Sequence, residues 1–511
     1  MSSEAGLKTF GAGGENFESS VQPRRNPSAV VKALVFVREY WVRFTGISAI
    51  LLAPCFWHRT IVATDLGSHV YNAWLAQLIR HGQAPGLWIA RQWTNVLFDF
   101  LLSGYGSLFG FTAAEKLAVA VCVLTFFWGT VALICAATGH MPWLLLPVIA
   151  LVTYGWTFHM GFFNYYLALG LSFFPLAIFW RGNGRERLIG VAIAPFVLMA
   201  HPFGFIWLVA AAVYIAMAEI TPRRYQFAWV IPAGATFLFV HFYFWGHYIV
   251  EAEPGRFYEF NGLDQLILFS RHYYIPERAL LIFVIGAVAV DAILRRKERG
   301  WWKSYSIPAQ LYILAELAVL LFPRGVHFPM HVAIALITDR LTTISAVLGC
   351  CILGAMRPRK WHLAASLAIA AVFFSFLYKD TGTIDKMEMQ VERLVRTLPR
   401  GQRVMATILP LTSSRIFAQH IVDRACIGYC FDYGNYEPGS EVFRVRALPD
   451  NPYVLDDYEL AIDMEEGDYV VQPSDLPMYQ VYQCAEVETD LCIRPLRAGE
   501  KNDRLGVHPV E

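Results

Sequence analysis

Asp65, His69 and Asn72 stand at i, i+4 and i+7 in the stretch "TDLGSHVYNAWLAQLIRHGQAPGLW". On a helix they share one face, opposite an apolar face of Val70, Ala73, Trp74 and Leu78. A carboxylate and an imidazole one turn apart are the group types that exchange protons near neutral pH. Gly82, Pro85 and Gly86 end the segment. Further along, polar side chains interrupt strongly apolar sequence: His159 and Asn164, His201 just before Pro202, then His327, His331, Asp339 and Arg340. Each has an ordinary reading beside a chemical one. Thr64-Asp65 is a good helix start, so Asp65 also fits a cap. Asp339 and Arg340 fit a local pair, or a pair reaching to a membrane interface. A lone His in apolar surroundings is more often a satisfied interior hydrogen bonder. Convergence of several such groups on one face is what weighs against the ordinary readings taken together.

The elements that carry these residues follow from hydropathy. The chain has 511 residues, 56% of them hydrophobic and 16% charged, with a mean hydropathy of +0.41. A soluble chain carries about a quarter charged residues. Nearly all of residues 43–377 is apolar, in runs near the roughly 20 residues a helix needs to cross a bilayer. The runs do not alternate apolar and polar residues, which excludes a β-barrel. A formal net charge of +1 gives no reason to expect a nucleic-acid partner.

Helices are expected near 42–57, 114–138, 142–159, 162–180, 187–199, 202–220, 226–247, 279–294, 305–322, 338–355 and 361–377. The fold class is therefore a membrane all-α bundle of about eleven transmembrane helices. With the N-terminus inside, every strongly basic loop falls on one side: Arg181, Arg185 and Arg187; Arg223 and Arg224; Arg295, Arg296, Lys297, Arg299 and Lys303; Arg357, Arg359 and Lys360. The organisation expected is a cytoplasmic, largely disordered tail over 1–41, a transmembrane domain over 42–378 with a first outer loop at 58–113, and an extracytoplasmic domain over 379–511. The outer loop carries two amphipathic helices lying along the interface, the second in "TNVLFDFLLSGYGSLFG".

The tail from about residue 379 mixes helix and strand and reads as an α/β domain. Residues 384–398 have helical spacing, "RVMATIL" and "DYVVQ" read as buried strands, and "YQVYQCAEV" as a half-buried one. Cys426, Cys430, Cys484 and Cys492 all lie there, and an oxidising compartment would let them pair. Cys484 and Cys492 flank an apparent hairpin turn, where a cross-strand disulfide fits. Zinc is the alternative for four cysteines, but no CxxC spacing is present. The tail holds no nucleotide loop or nucleophile elbow, and a structural or substrate-covering cap is its simplest reading. In this topology the polar residues gather on the outer face, where ionisable groups near a membrane core mark a cavity.

Asp65 to about Gly110 resembles the first extracytoplasmic loop of the C-type glycosyltransferase superfamily (GT-C), multi-span enzymes that use polyprenyl-phosphate-linked sugars. The residues that carry the resemblance are Asp65 soon after the first helix, His69, the helix ending "LIRHGQAP", and the apolar run ending at Phe109-Gly110 before "AAEKLA". The span count, basic inner loops and outer C-terminal domain are similar too. The resemblance implies transfer of a sugar from a polyprenyl-phosphate donor to a lipid, glycan or protein acceptor. Asp65 would be the base and His69 its assistant or a phosphate ligand. Arg340 would meet the lipid phosphate. Asn72, His159, Asn164, His201, His331 and Asp339 would contact substrate. The sequence departs from the family in one respect: Leu66 follows Asp65 where many members carry a second acid. A metal-binding DxD pattern is also absent, so a divalent metal stays open with no motif to support it, no metal ligand is assigned, and the polyprenyl-phosphate sugar enters as donor substrate. The implied setting is a bacterial inner membrane, with polyprenyl-linked substrate and envelope-glycan assembly proteins as partners. Two rivals belong to other classes. One is a transporter or flippase for a lipid-linked substrate, against which stand the lack of a repeat and the one-sided polar residues. The other is a non-catalytic assembly protein of the same fold, which the missing second acid favours.

Overall fold

The computed structural model describes residues 29–252, 261–298, 300, 302, 305–328, 333–357, 359–408, 415–416, 420–440, 442–449, 451–484 and 489–503. Each of the eleven apolar segments is helical in whole or part. Six helices among the described residues are long and apolar enough to cross a membrane: Phe111–Thr138, Phe163–Arg181, Pro202–Ile220, Arg223–His247, Ile337–Gly354 and Lys360–Val395. The other five segments do not meet that measure, each for a local reason. Trp41–Leu51 has 11 residues and stops where a short turn, Ala53–Phe56, begins. Gly184–Ala200 and Ser306–Leu321 have 17 and 16 residues. Tyr274–Arg295 carries Glu277, Arg278, Asp291 and Arg295. The segment 142–159 is broken into Trp143–Leu145, Leu146–Thr153 and Trp156–His159, with extended backbone at Gly155 between the last two.

Pro202 divides 187–220 as its chemistry requires. Gly184–Ala200 ends at extended His201, and Pro202 opens Pro202–Ile220 in the first turn, where its missing N–H is no loss. At the N-terminus, part of the tail expected to be disordered is helix Ala29–Glu39. The backbone N–H of Val30 donates to Glu186 at 2.5 Å, tying that helix to the start of Gly184–Ala200.

The expected domain boundary at 378/379 falls inside one helix. Lys360–Val395 runs for 36 residues without a break, about 54 Å at 1.5 Å per residue. The apolar run 361–377 and the helical spacing of 384–398 are successive parts of it. Its second half stands against the loop over 58–113: Asp385 accepts from both N and Oγ1 of Thr60 at 2.7 Å, and Arg59 pairs with Glu392 at 2.7 Å.

The loop over 58–113 and the C-terminal region share a core. The loop helix, Leu66–Arg80, is buried at every position from Leu66 to Ala76, so it is not the interfacial helix expected from its pattern. Tyr71, Trp74 and Leu75 pack with Val404, Val422, Cys426 and Val481 of the C-terminal region. Strand Leu87–Ile89 of the loop pairs antiparallel with Val445–Ala447. The C-terminal region is built on a four-stranded sheet ordered Phe431–Asp432, Arg403–Thr407, Met478–Gln483, Leu491–Pro495, parallel except for the last pair. "RVMATIL" and "YQVYQCAEV" supply two of these strands. "DYVVQ" does not form one: only Val470 makes a bridge, to Lys501, and Pro473 then opens a 3-10 turn. Cys484–Cys492 closes the hairpin of the last two strands, and Cys426–Cys430 closes one turn after the short helix Asp423–Cys426.

Candidate functional site

Asp65 is held by backbone geometry. Its N–H donates to the Met160 carbonyl at 3.2 Å, and the N–H of Thr64 donates to that of His159 at 2.9 Å. Gly161, at φ +83°, makes this approach feasible: a Cβ there would lie 2.6 Å from the Asp65 nitrogen. Asp65 is the N-cap of the loop helix, yet its side chain makes no capping bond. Among the described residues the carboxylate has no hydrogen-bond or ion-pair partner; it lies in the field of His69 and Arg340. Burial raises it from the ordinary carboxylate range to about 6, against the pull of those two cations.

Arg340 is the complementary group. Its guanidinium lies over the Phe162 ring at 4.2 Å, and its buried Nε has no hydrogen-bond partner among the described residues. The Tyr165 hydroxyl fixes its backbone by donating to the Arg340 carbonyl at 2.8 Å. It is not paired with Asp339, its sequence neighbour. Asp339 sits 3.4 Å from Arg324 and 3.3 Å from Arg415, a residue of the C-terminal region. Leu336, at φ +56°, begins the turn into Ile337–Gly354 that turns Asp339 and Arg340 to different partners.

His69 is tied to Asp99 of helix Leu97–Phe109 through Nδ1, 3.1 Å from the carboxylate. Burial alone would lower the imidazole. The hydrogen bond and charge of Asp99, with the charges of Glu437 and Asp65, outweigh it and raise the group to about 9. The shift favours the protonated, cationic form of His69.

The C-terminal region completes the enclosure. Ser68 donates to Glu437 at 2.8 Å, and Asn72 and Asn435 exchange amide hydrogen bonds, 2.9 Å in the better direction. Tyr71 accepts from the backbone N–H of Asp432 at 2.9 Å. Burial raises Glu437 to about 7 although His69 opposes it. Tyr436 and Glu465 both lie in the field of Asp65.

The remaining expected site residues divide. Asn72 faces the C-terminal region and is spent on Ser68 and Asn435. Asn164 is also spent: it accepts from the Phe98 N–H at 2.9 Å and donates to the Asn95 carbonyl at 3.2 Å, fixing the start of Leu97–Phe109. Asp339 is held by two arginines. These three are positioning groups, not free substrate contacts, because their polar atoms already have partners. His159 bonds the Val62 carbonyl through Nδ1 at 2.7 Å, while its buried Nε2 has no partner among the described residues. His201 accepts from the Phe203 N–H, capping its helix, and its ring meets Tyr165 at 5.5 Å, in the field that Arg340 casts. His331 lies outside the described residues. His327 pairs with exposed Glu251 at 2.9 Å. Asp99, Glu437, Tyr436, Glu465 and Arg415 were not foreseen; Asp99 alone left a signal, as the one carboxylate in the apolar run "TNVLFDFLLSGYGSLFG".

Among the described residues no group of three or more His, Cys, Asp or Glu is arranged to hold a metal ion. The arrangement can take a proton at Asp65 and hold an anion at Arg340. The class this defines is a mostly helical chain, compatible with a multi-pass membrane protein, whose loop over 58–113 and C-terminal region pack together beside a buried polar site. No family model, curated protein or solved structure matches it.

Proposed function

We propose that this protein is a membrane glycosyltransferase of the GT-C type, moving a sugar from a polyprenyl-phosphate donor to a lipid, glycan or protein acceptor. In this reading it crosses a bacterial inner membrane about eleven times, with the N-terminus inside and the C-terminal region and site outside. The observation that supports it is a carboxylate, Asp65, with no hydrogen-bond or ion-pair partner among the described residues, in the field of a guanidinium, Arg340, whose buried Nε has no hydrogen-bond partner among them either. Glycosyl transfer needs both. Asp65 takes the proton of the acceptor hydroxyl as that oxygen bonds to the sugar carbon. The bond from that carbon to the phosphate oxygen breaks, and the polyprenyl phosphate leaves with its charge against Arg340. His69, cationic and anchored by Asp99, favours the ionised form of Asp65 and so keeps the base competent. The second acid absent beside Asp65 has counterparts in Asp99 and Glu437, contributed by other segments.

The test is direct. Purified protein in nanodiscs, a panel of radiolabelled polyprenyl-phosphate sugars and membrane extract are combined, beside an Asp65→Asn variant. Label reaching an acceptor with the wild type alone is the expected result. No transfer from any donor refutes the reading.

A further inference from the structure

Behind the loop helix, the C-terminal region buries three carboxylates and an imidazole that the proposed reaction does not use. Asp423 opens the helix Asp423–Cys426, Asp432 ends the strand Phe431–Asp432, Glu465 lies on the helix Tyr458–Glu466, and His420 precedes them on a left-handed turn at φ +57°. His420 Nδ1 is 3.3 Å from a Glu465 oxygen and 3.6 Å from an Asp423 oxygen. Neither contact has the direction of a hydrogen bond. Among the described residues His420 Nδ1 has no hydrogen-bond partner, and the Asp423 oxygens receive no N–H or hydroxyl. Asp423 faces Asp432, carboxyl to carboxyl, a hydrogen bond that needs a proton between them, and the His420 and Asp423 side chains are 2% and 0% exposed. A cavity of about 20 Å³ is lined by His420, Asp432, Gly434, Met464 and Glu465, room for about one water. Glu465, at 14% exposure, is the member that reaches solvent.

Three ionised carboxylates in one buried pocket would repel strongly without a cation among them. The cations that face it are committed elsewhere. Arg424 is bound to Glu115 and Glu388, and His69 to Asp99. The other groups facing the pocket are Tyr71, Glu437, Tyr436, Tyr458, Glu466 and Asp65, none of which supplies positive charge. No three of the four groups are disposed to hold a metal ion. Protons shared among the carboxyls resolve the charge, and burial acts in that direction on Asp423, Asp432 and Glu465.

The pocket also touches the site. A Cβ on Gly67, two residues past Asp65, would lie 2.7 Å from the His420 carbonyl oxygen. The Tyr436 ring is 5.2 Å from that of His420 and lies in the fields of both Asp65 and Glu465.

We propose that His420, Asp423, Asp432 and Glu465 form a proton-sharing cluster that receives the proton captured by Asp65 and releases it to solvent at Glu465. This rests on the reading of Asp65 as the base. The step is proton transfer alone. The acceptor O–H bond breaks, its proton passes to an Asp65 oxygen, then to the cluster, then to water; nothing is oxidised or reduced.

The cluster can be tested without a substrate. Infrared difference spectra of the full-length protein in nanodiscs at neutral pH should show protonated carboxyl bands that shift in D₂O. Those bands should weaken in Asp423→Asn and in Glu465→Gln. Their absence from the wild type overturns the proposal whether or not either variant folds. So does a stoichiometric divalent metal that chelation removes, since the charge would then be balanced by the metal. In the transfer assay, Glu465→Gln should lower kcat at least about tenfold with KM little changed, and small weak bases such as imidazole, which accept the proton in its place, should restore it. Unchanged turnover, or a loss that weak bases do not restore, overturns the relay. If the bands are present but no donor yields transfer, the reading of the function has failed, and the relay falls with it.

Discussion

Arg424→Met should destabilise the packing of the C-terminal region against the membrane helices more than any other single side-chain truncation at that junction. Arg424 lies on the short helix Asp423–Cys426, and its side chain is 13% exposed. It donates to Glu115 at 2.8 Å, to both oxygens of Glu388 at 2.7 and 2.9 Å, and to the Ile61 carbonyl at 2.9 Å. Three chain segments therefore meet on one guanidinium: the start of Phe111–Thr138, the second half of Lys360–Val395 and the beginning of the loop over 58–113. The two glutamates are 6% and 9% exposed, so removing the arginine leaves two buried carboxylates without a cation, Glu115 keeping the Ile61 N–H at 3.1 Å. Breaking a buried pair in this way costs about 3–5 kcal/mol, most of it the charge left behind. The reasoning makes a sharper claim through the triple variant Arg424→Met, Glu115→Gln, Glu388→Gln, which should recover to within about 2 kcal/mol of wild type. The assay is denaturant titration in mixed micelles, with the rate of proteolytic release of the C-terminal region as a second readout. If Arg424→Met alone costs less than about 1 kcal/mol, the level of an exposed pair, the triad is not what holds the junction. If the triple variant is no better than the single one, the cost lies in packing and not in stranded charge.

Other perturbations separate the parts of the site. Asp65→Asn should leave folding unchanged and abolish transfer. In the wild type, activity should fall as pH drops through about 6, where Asp65 takes up a proton, and fall again as pH rises through about 9, where His69 loses its charge; a flat profile over that span would remove both groups from the chemistry. Arg340→Lys should weaken donor binding, seen as a raised KM for the polyprenyl-phosphate sugar, because an ammonium cannot reproduce the planar fork over Phe162; unaltered donor affinity would take Arg340 out of the site. Gly67→Ala should lower stability by about 1–3 kcal/mol, since the added Cβ meets backbone, the His420 carbonyl, at 2.7 Å; a thermal midpoint equal to wild type would show that the two segments separate easily. Cys484 and Cys492 should resist thiol labelling until a reductant is added, and ready labelling of both would argue against that bridge.

What was legible in the sequence was local. Apolar runs marked helices, Pro202 marked a break, and two cysteines across a turn marked a hairpin, because each signal acts over a few residues. What was not legible depends on partners far along the chain. Asn164 reads as a substrate contact and Asp339 as that or a partner of Arg340, since nothing near them shows that Phe98 and Asn95, or Arg324 and Arg415, will satisfy them. Glu437 lies 369 residues from the Ser68 it binds, in a turn-rich stretch with no catalytic pattern of its own. The loop helix is the most instructive case. An apolar stripe at Val70, Ala73, Trp74 and Leu78 states that one face must leave water, but not whether lipid or protein will cover it. Here protein does, on both faces: Trp74 stacks on Phe431 at 5.9 Å, while Ser68 and Asn72 bond Glu437 and Asn435 on the polar side. That difference decides the chemistry. A polar stripe at a membrane surface would leave Asp65 solvated, with an ordinary carboxylate affinity for protons. Enclosed between two parts of the chain, the same stripe holds an unpartnered carboxylate near neutrality, the affinity a general base requires. Burial raises the proton affinity of the candidate base, and His69 and Arg340 draw it back; the C-terminal region, read from sequence as a cap, takes part in the enclosure by packing on the helix that Asp65 begins.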